Sequence, residues 1–192
     1  MNYLAHFYLA HGDEGLIVGN FLADYIRGKK YLEYPEHVQR GVLQHRGIDE
    51  FTDTHAIVEL TKARLRGKYR KYTPVISDVF YDFALGNNWG DYSDLDLKAF
   101  AREIYEVLHD NAQHLPEKAQ LTLAYMSKND WLYHYSTFWG IEKALQGLSH
   151  RANFDNDMNL AIADLKKDVD KVESEFRDFF PELQTFANTF KE

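Results

Sequence analysis

The sequence predicts an all-α fold, a single-domain multi-helix bundle, on three observations. The alternating apolar–polar period of strands is nearly absent. The four prolines sit where helices begin or end. Leu165, Val169, Val172, Phe176 and Phe179 recur at 4-3-4-3 spacing, which lays one apolar stripe down a helix and marks it as core. The 192 residues can bury one substantial core, and no repeat, low-complexity stretch or Gly/Ser linker divides them, so 1–192 reads as one domain.

Helices are expected at about 2–11, 14–28, 36–53, 55–71 and 75–88. Pro35, Pro74 and Pro116 each precede a helical pattern, as fits a residue tolerated only in the first turn. Beyond the turn-rich stretch from Asn87 to Ser93, helices follow at about 94–113, 116–128, 130–137, 138–149 and 157–180. Pro181 is expected to end or kink the last long helix, and a short helix closes the chain.

Composition narrows the function classes. A formal net charge of -8 argues against nucleic-acid binding, which needs a basic face for phosphates. No apolar run approaches the roughly 20 residues that span a bilayer, and no charged and apolar leader opens the sequence, so neither membrane nor export is expected and the cytoplasm is the natural compartment. With no cysteine, His, Asp and Glu are the only side-chain ligands for a metal. Tyr and Phe, at 13 each, leave aromatic surface compatible with a homodimer. One basic run interrupts the acidic chain: Lys62, Arg64, Arg66, Lys68, Arg70 and Lys71. It reads either as a solvated helix face or as a docking surface for an acidic partner.

Three helices carry acids in patterns that chemistry could use. On the third, His45, Asp49 and Asp53 are spaced by four and share one face, as a metal site or a plain polar stripe would. On the fifth, Asp78 and Asp82 sit among Ile76, Val79, Phe80 and Phe83. An ionised carboxylate in such surroundings must bind a cation, pair with a base or take up a proton. The second helix adds Asp24 in an apolar run, with Asn20 one turn before and Arg27 three residues after. Asp24, His45, Asp49, Asp78 and Asp82 could therefore converge on one point, and oxygen-rich ligation with one imidazole favours Mn, Mg or Fe over structural zinc. His6 reads as a further ligand, a group supporting one, or a satisfied core histidine.

At these residues the sequence resembles the acyl carrier protein phosphodiesterase family, regarded as a divergent relative of the HD-domain metal phosphohydrolases. The matching segments are Met1 to His6, Gly19-Asn20 with Leu22-Ala23-Asp24, His45-Arg46 with Ile48-Asp49 and Thr52-Asp53, then Asp78-Val79, Asp82 and Trp89. Their spacing fits without gaps over the first ninety residues; Trp131-Leu132 and the stretch from Ala144 to Ser149 match more loosely. In one departure, Phe83 stands where the family has histidine after the acid, so that residue's role is missing or passes to another group such as His6.

The resemblance implies an HD-domain-like fold and hydrolysis of the phosphodiester joining 4'-phosphopantetheine to a serine of holo acyl carrier protein, giving the apo protein. It implies a divalent metal, Mn2+ first and Mg2+ or Fe2+ next, that activates water. Asp24, His45, Asp49, Asp78 and Asp82 would be ligands or base, His6 a further ligand, and Arg46 or Arg27 would offset charge on the phosphate oxygens. The acidic carrier protein would dock on Arg64, Arg66, Lys68, Arg70 and Lys71, so reversing Arg66, Lys68 and Arg70 should raise its Michaelis constant. Two alternatives are an HD-like phosphohydrolase of a small phosphoester or nucleotide, and a helical binding protein that has lost catalysis, for which Phe83 is the main support.

Overall fold

In the computed structural model, which describes residues 1–190, the chain is all-α, with no strand among the described residues. The helices are α1 (Tyr3–Leu9), α2 (Glu14–Ala23), α3 (Glu36–Thr54), α4 (Ala56–Tyr69), α5 (Thr73–Asn87), α6 (Leu97–Asp110), α7 (Glu117–Lys128), α8 (Trp131–His134), α9 (Phe138–Arg151) and α10 (Ala161–Ala187). None of them is long and apolar enough to cross a membrane.

Local chemistry sets most of the boundaries. Asp13 caps α2 by accepting from the Leu16 N–H at 2.8 Å, and Asp96 caps α6 by accepting from Lys98 and Ala99. Pro35 and Pro116 precede the first turns of α3 and α7, and Pro74 lies inside the first turn of α5. Two expectations change. The second helix stops at Ala23 rather than near 28: the Tyr25 N–H turns back to the Leu22 carbonyl at 2.9 Å, and farther on Gly28 takes the left-handed conformation at φ +58°. The last helix runs through Pro181 to Ala187, and its one non-helical residue is Asp168 (φ -114°, ψ 21°), so the irregularity lies well over three turns before the proline.

α5 is the central element, packed against α1, α4, α9 and α10. The stripe on α10 behaves as the pattern requires: Leu165, Val172, Phe176 and Phe179 are buried and Val169 is half-buried. Tyr81 of α5 meets Phe176 edge to face at 5.6 Å. Truncating a buried phenylalanine such as Phe176 removes about 3–5 kcal/mol from a core of this kind.

The contact that positions the site is between α2 and α3, and glycines make it. A Cβ on Gly19 would lie 2.3 Å from the Val38 carbonyl oxygen, and one on Gly41 would lie 2.7 Å from the carbonyl oxygens of Gly15 and Leu16. Side chains would force these backbones apart. Their close approach lets the short amide of Asn20 on α2 reach Gln44 on α3.

Candidate metal centre

Two amides fix the state of one imidazole. Gln44 donates through Nε2 to the carbonyls of Leu9 (3.1 Å) and Ala187 (3.3 Å), which turns its Oε1 toward Asn20. Asn20 donates through Nδ2 to that oxygen at 2.7 Å and to the Leu16 carbonyl at 2.8 Å, which turns its own Oδ1 toward His6 Nδ1 at 3.1 Å. An amide oxygen only accepts, so this network assigns the ring proton to Nδ1 and leaves a lone pair on Nε2. His6 is almost wholly buried, and burial, followed by the nearby His45, pushes its pKa down to about 4, which keeps the ring neutral near pH 7.

The neutral Nε2 then faces other acceptors. Asp49 Oδ1 lies 3.1 Å away and the Met1 carbonyl oxygen 3.2 Å away. His45, on the same face of α3 as Asp49, stacks its ring on His6 with centroids 4.1 Å apart. Its Nε2 is 3.2 Å from Asp49 Oδ2 and 3.6 Å from Asp24 Oδ1. Burial opposes ionisation of Asp49, but the hydrogen bond with His45 and the charge of the Met1 amine hold this carboxyl well below the usual range. The donor atoms of His6, His45 and Asp49 all lie within 4.8 Å of one another. Two imidazole nitrogens and a carboxylate oxygen gathered this closely, with the His6 lone pair confronting Asp49, fit a divalent cation chemically. Water can reach the centre, since the side chains of Asp24 and Asp49 each keep 43% of their surface exposed.

The other expected residues divide. Asp24 stands at the open edge beside His45, with the Tyr3 hydroxyl next to it. Asp78 joins through the Met1 amine, which is 3.2 Å from Asp78 and 3.5 Å from Asp49. Burial pushes the Asp78 carboxyl up while this amine pulls it down. Asp82 lies behind the centre and is fully buried: its oxygens accept from the backbone N–H groups of Asn2 (3.3 Å), Leu4 (2.8 Å) and Ala5 (3.2 Å). It caps α1 from a distant helix and so holds His6 in place, instead of standing free as a ligand. Burial pushes its pKa up to about 7 against those donors.

Neither arginine is at the centre. Arg46 donates to the Gly28 carbonyl at 2.9 Å and lies over the Tyr31 ring, where it ties down the segment after α2. Arg27 is exposed, its side chain without a hydrogen bond or ion pair among the described residues. Asp53, third on the α3 stripe, is diverted to Lys62 at 2.6 Å. Phe83 is buried against Phe138 of α9, ring centroids 4.8 Å apart, so the departure it represents falls in a helix interface. That removes the main support for lost catalysis.

The basic run is largely neutralised by the protein itself. Lys62 pairs with Asp53, Arg64 with Glu175 at 2.5 Å, Arg66 with Glu59 at 2.7 Å and Lys68 with Asp164 at 2.9 Å. Lys71 lies over the Phe154 ring, and only Arg70 has neither an acid nor a ring partner among the described residues. The expected docking surface therefore has little charge left to offer.

Sequence reasoning passed over Gln44, although it adjoins His45, because a lone glutamine gives no pattern. Its relation to His6 exists only once α2 and α3 touch.

Fold and centre together define a small all-α protein built around a buried imidazole–carboxylate cluster that is open to water on one side. The chain belongs to the acyl carrier protein phosphodiesterase family, whose sequence profile matches residues 1–183. Relatives carrying that name include a protein of Klebsiella pneumoniae subsp. pneumoniae, 31% identical with 97% of each chain covered. One from Yersinia pestis is 32% identical with 79% of each covered, and one from Photorhabdus laumondii is 28% identical with 97% of this chain and 95% of that one covered. No solved structure matches.

Proposed function

We propose that this chain is a metal-dependent phosphodiesterase that hydrolyses the bond between 4'-phosphopantetheine and a serine of holo acyl carrier protein. The observation that carries the metal part is the His6 Nε2 lone pair, set by Asn20 and Gln44 to face Asp49. Membership of the family supports the substrate. His6, His45 and Asp49 would hold the cation, and two imidazoles in place of the single one expected shift the choice toward Mn2+ or Fe2+ and away from Mg2+. A bound divalent cation would lower the pKa of water and polarise a phosphoryl oxygen.

The chain's own groups supply the rest. Asp24, at the solvent edge, takes a proton from the attacking water. Oxygen–phosphorus bond formation is matched by cleavage of the bond to the serine oxygen, which leaves with the proton that Asp24 has taken, as the serine of the apo protein. Asp78 is paired with the Met1 amine at 3.2 Å, which offsets its charge beside Asp49. Asp82 keeps α1, and thus His6, in register.

The test is to incubate the chain and Mn2+ with holo acyl carrier protein and follow loss of the prosthetic group by intact mass. Conversion to the apo form is expected, with Asp49→Ala slower by at least about a hundredfold, more than the 10–100-fold typical of losing a group behind a ligand. An Asp49→Ala protein as fast as wild type would defeat the reading.

A further inference from the structure

A cleft of about 680 Å³ opens beside the centre, between α7, α8 and α9, and Asn2 and Tyr3 form its inner wall. These two residues join it to the chemistry. Asn2 donates through its backbone N–H to Asp82 and through its side chain to the Tyr135 hydroxyl, while the Tyr3 hydroxyl meets Tyr25 at 3.3 Å and adjoins Asp24.

The lining combines two features that soluble surfaces rarely place together. Large apolar side chains stand in solvent: Leu121 is 67% exposed, Tyr125 61% and Trp139 55%, with Trp131 packed edge-on against Tyr125. Lys118, Lys143 and Arg151 also line the cleft, and no Asp or Glu among the described residues does, in a chain with 30 acids against 22 Lys and Arg. These cations are unspent. Among the described residues the side chains of Lys118 and Arg151 have no hydrogen bond or ion pair, and that of Lys143 reaches only the neutral Gln146 Oε1, at 3.3 Å. Arg151 lines the cleft together with Tyr135, whose hydroxyl accepts from Asn2, and its charge favours ionisation of the Tyr135 and Tyr25 hydroxyls, which sets positive charge toward the Asn2–Tyr3 end.

We propose that this cleft seats the phosphate-tethered prosthetic arm of holo acyl carrier protein, with the phosphodiester at the Asn2–Tyr3 end, the neutral arm along Trp131, Tyr125 and Trp139, and the lysines facing the acidic carrier. The identity of the arm rests on the hydrolase reading. An anion joined to a flexible, weakly polar chain needs a positive end and an aromatic wall, and this cleft supplies both. Lys118 comes from α7, and Lys143 and Arg151 stand more than two turns apart on α9, which is why no charge run announces them.

The full chain in EDTA, where turnover is suppressed, is titrated with holo and apo acyl carrier protein by calorimetry and by tryptophan fluorescence. Two of the three tryptophans line the cleft, so the emission reports on it. The holo form should bind at least tenfold more tightly than the apo form and change the emission. Trp139→Ala should abolish that preference, and Lys143→Glu should weaken both forms, each variant being checked for wild-type circular dichroism and Mn2+ affinity. Equal affinity for holo and apo protein, or a preference that survives Trp139→Ala, overturns the proposal. So does a concentration-dependent dimer that Trp139→Ala dissolves with carrier binding unchanged, since the face would then belong to a second copy. Arm-dependent, Trp139-sensitive binding without cleavage in Mn2+ would remove the hydrolase reading and leave the cleft. Cleavage by Trp139→Ala at the wild-type Michaelis constant would remove the cleft and leave the hydrolase.

Discussion

The imidazole–carboxylate centre and the basic run on α4 are both dense clusters of charge, and the fold treats them in opposite ways. Around residues 62–71 four cations find acids of their own, and Lys71 lies on an aromatic ring. At the centre the protein turns lone pairs toward one another: His6 Nε2 and Asp49 Oδ1 stand 3.1 Å apart with no proton assigned between them. Density of charge is thus a poor guide to function. What distinguishes the centre is that the His6 lone pair and the Asp49 oxygen meet without a proton between them, while the charge of the basic run is mostly spent on stability, at a few tenths to about 1 kcal/mol per exposed pair.

The contrast can be broken first through protons. In EDTA, His6 titrates at about 4 when folded and near 6.5 when unfolded, so the unfolded chain binds more protons between those values. This contribution is fully present above about pH 6.5 and is lost as pH falls toward 4, about 3 kcal/mol in all. Asp82, raised to about 7, acts with the opposite sign, but it is common to wild type and His6→Gln and cancels when the two are compared. Urea unfolding from pH 4 to 7 should therefore show a steeper rise of stability with pH in wild type than in His6→Gln; parallel curves would mean that the ring is not held neutral.

A smaller effect belongs to the basic run. The triple reversal Arg66→Glu, Lys68→Glu and Arg70→Glu should lower stability by about 1–2 kcal/mol through the loss of two surface pairs and the repulsion that replaces them. The Michaelis constant for holo acyl carrier protein should change less than about twofold, because most of this charge is already neutralised. A large, salt-sensitive rise would restore this run as the docking surface.

Much of the molecule was legible in sequence because helices are local. The stripe from Leu165 to Phe179 and the prolines at 35, 74 and 116 announce their elements before any tertiary contact exists. Spacing likewise put His45 and Asp49 on one face, and the structure keeps them together. Other features are products of tertiary approach. Asp82 looked like a reactive acid because it is buried among apolar neighbours; that burial is satisfied by backbone donors of α1, eighty residues away in sequence. The Pro181 expectation failed because the helix continues through that residue, and the irregularity fell at Asp168, a position without a breaker residue. Gln44 and the cleft cations were invisible for the same reason as Asp82: their meaning depends on which helices meet.

The most direct test is an Mn2+ titration of the metal-free chain at pH 7 by calorimetry, beside His6→Ala and Asn20→Leu proteins shown by circular dichroism to be folded. The account predicts binding to wild type, a loss of at least about a hundredfold in His6→Ala, and a loss of about 10–100-fold in Asn20→Leu, where the group that fixes the ring proton is gone. Wild-type affinity in both variants, or no binding to the wild-type chain, would contradict it.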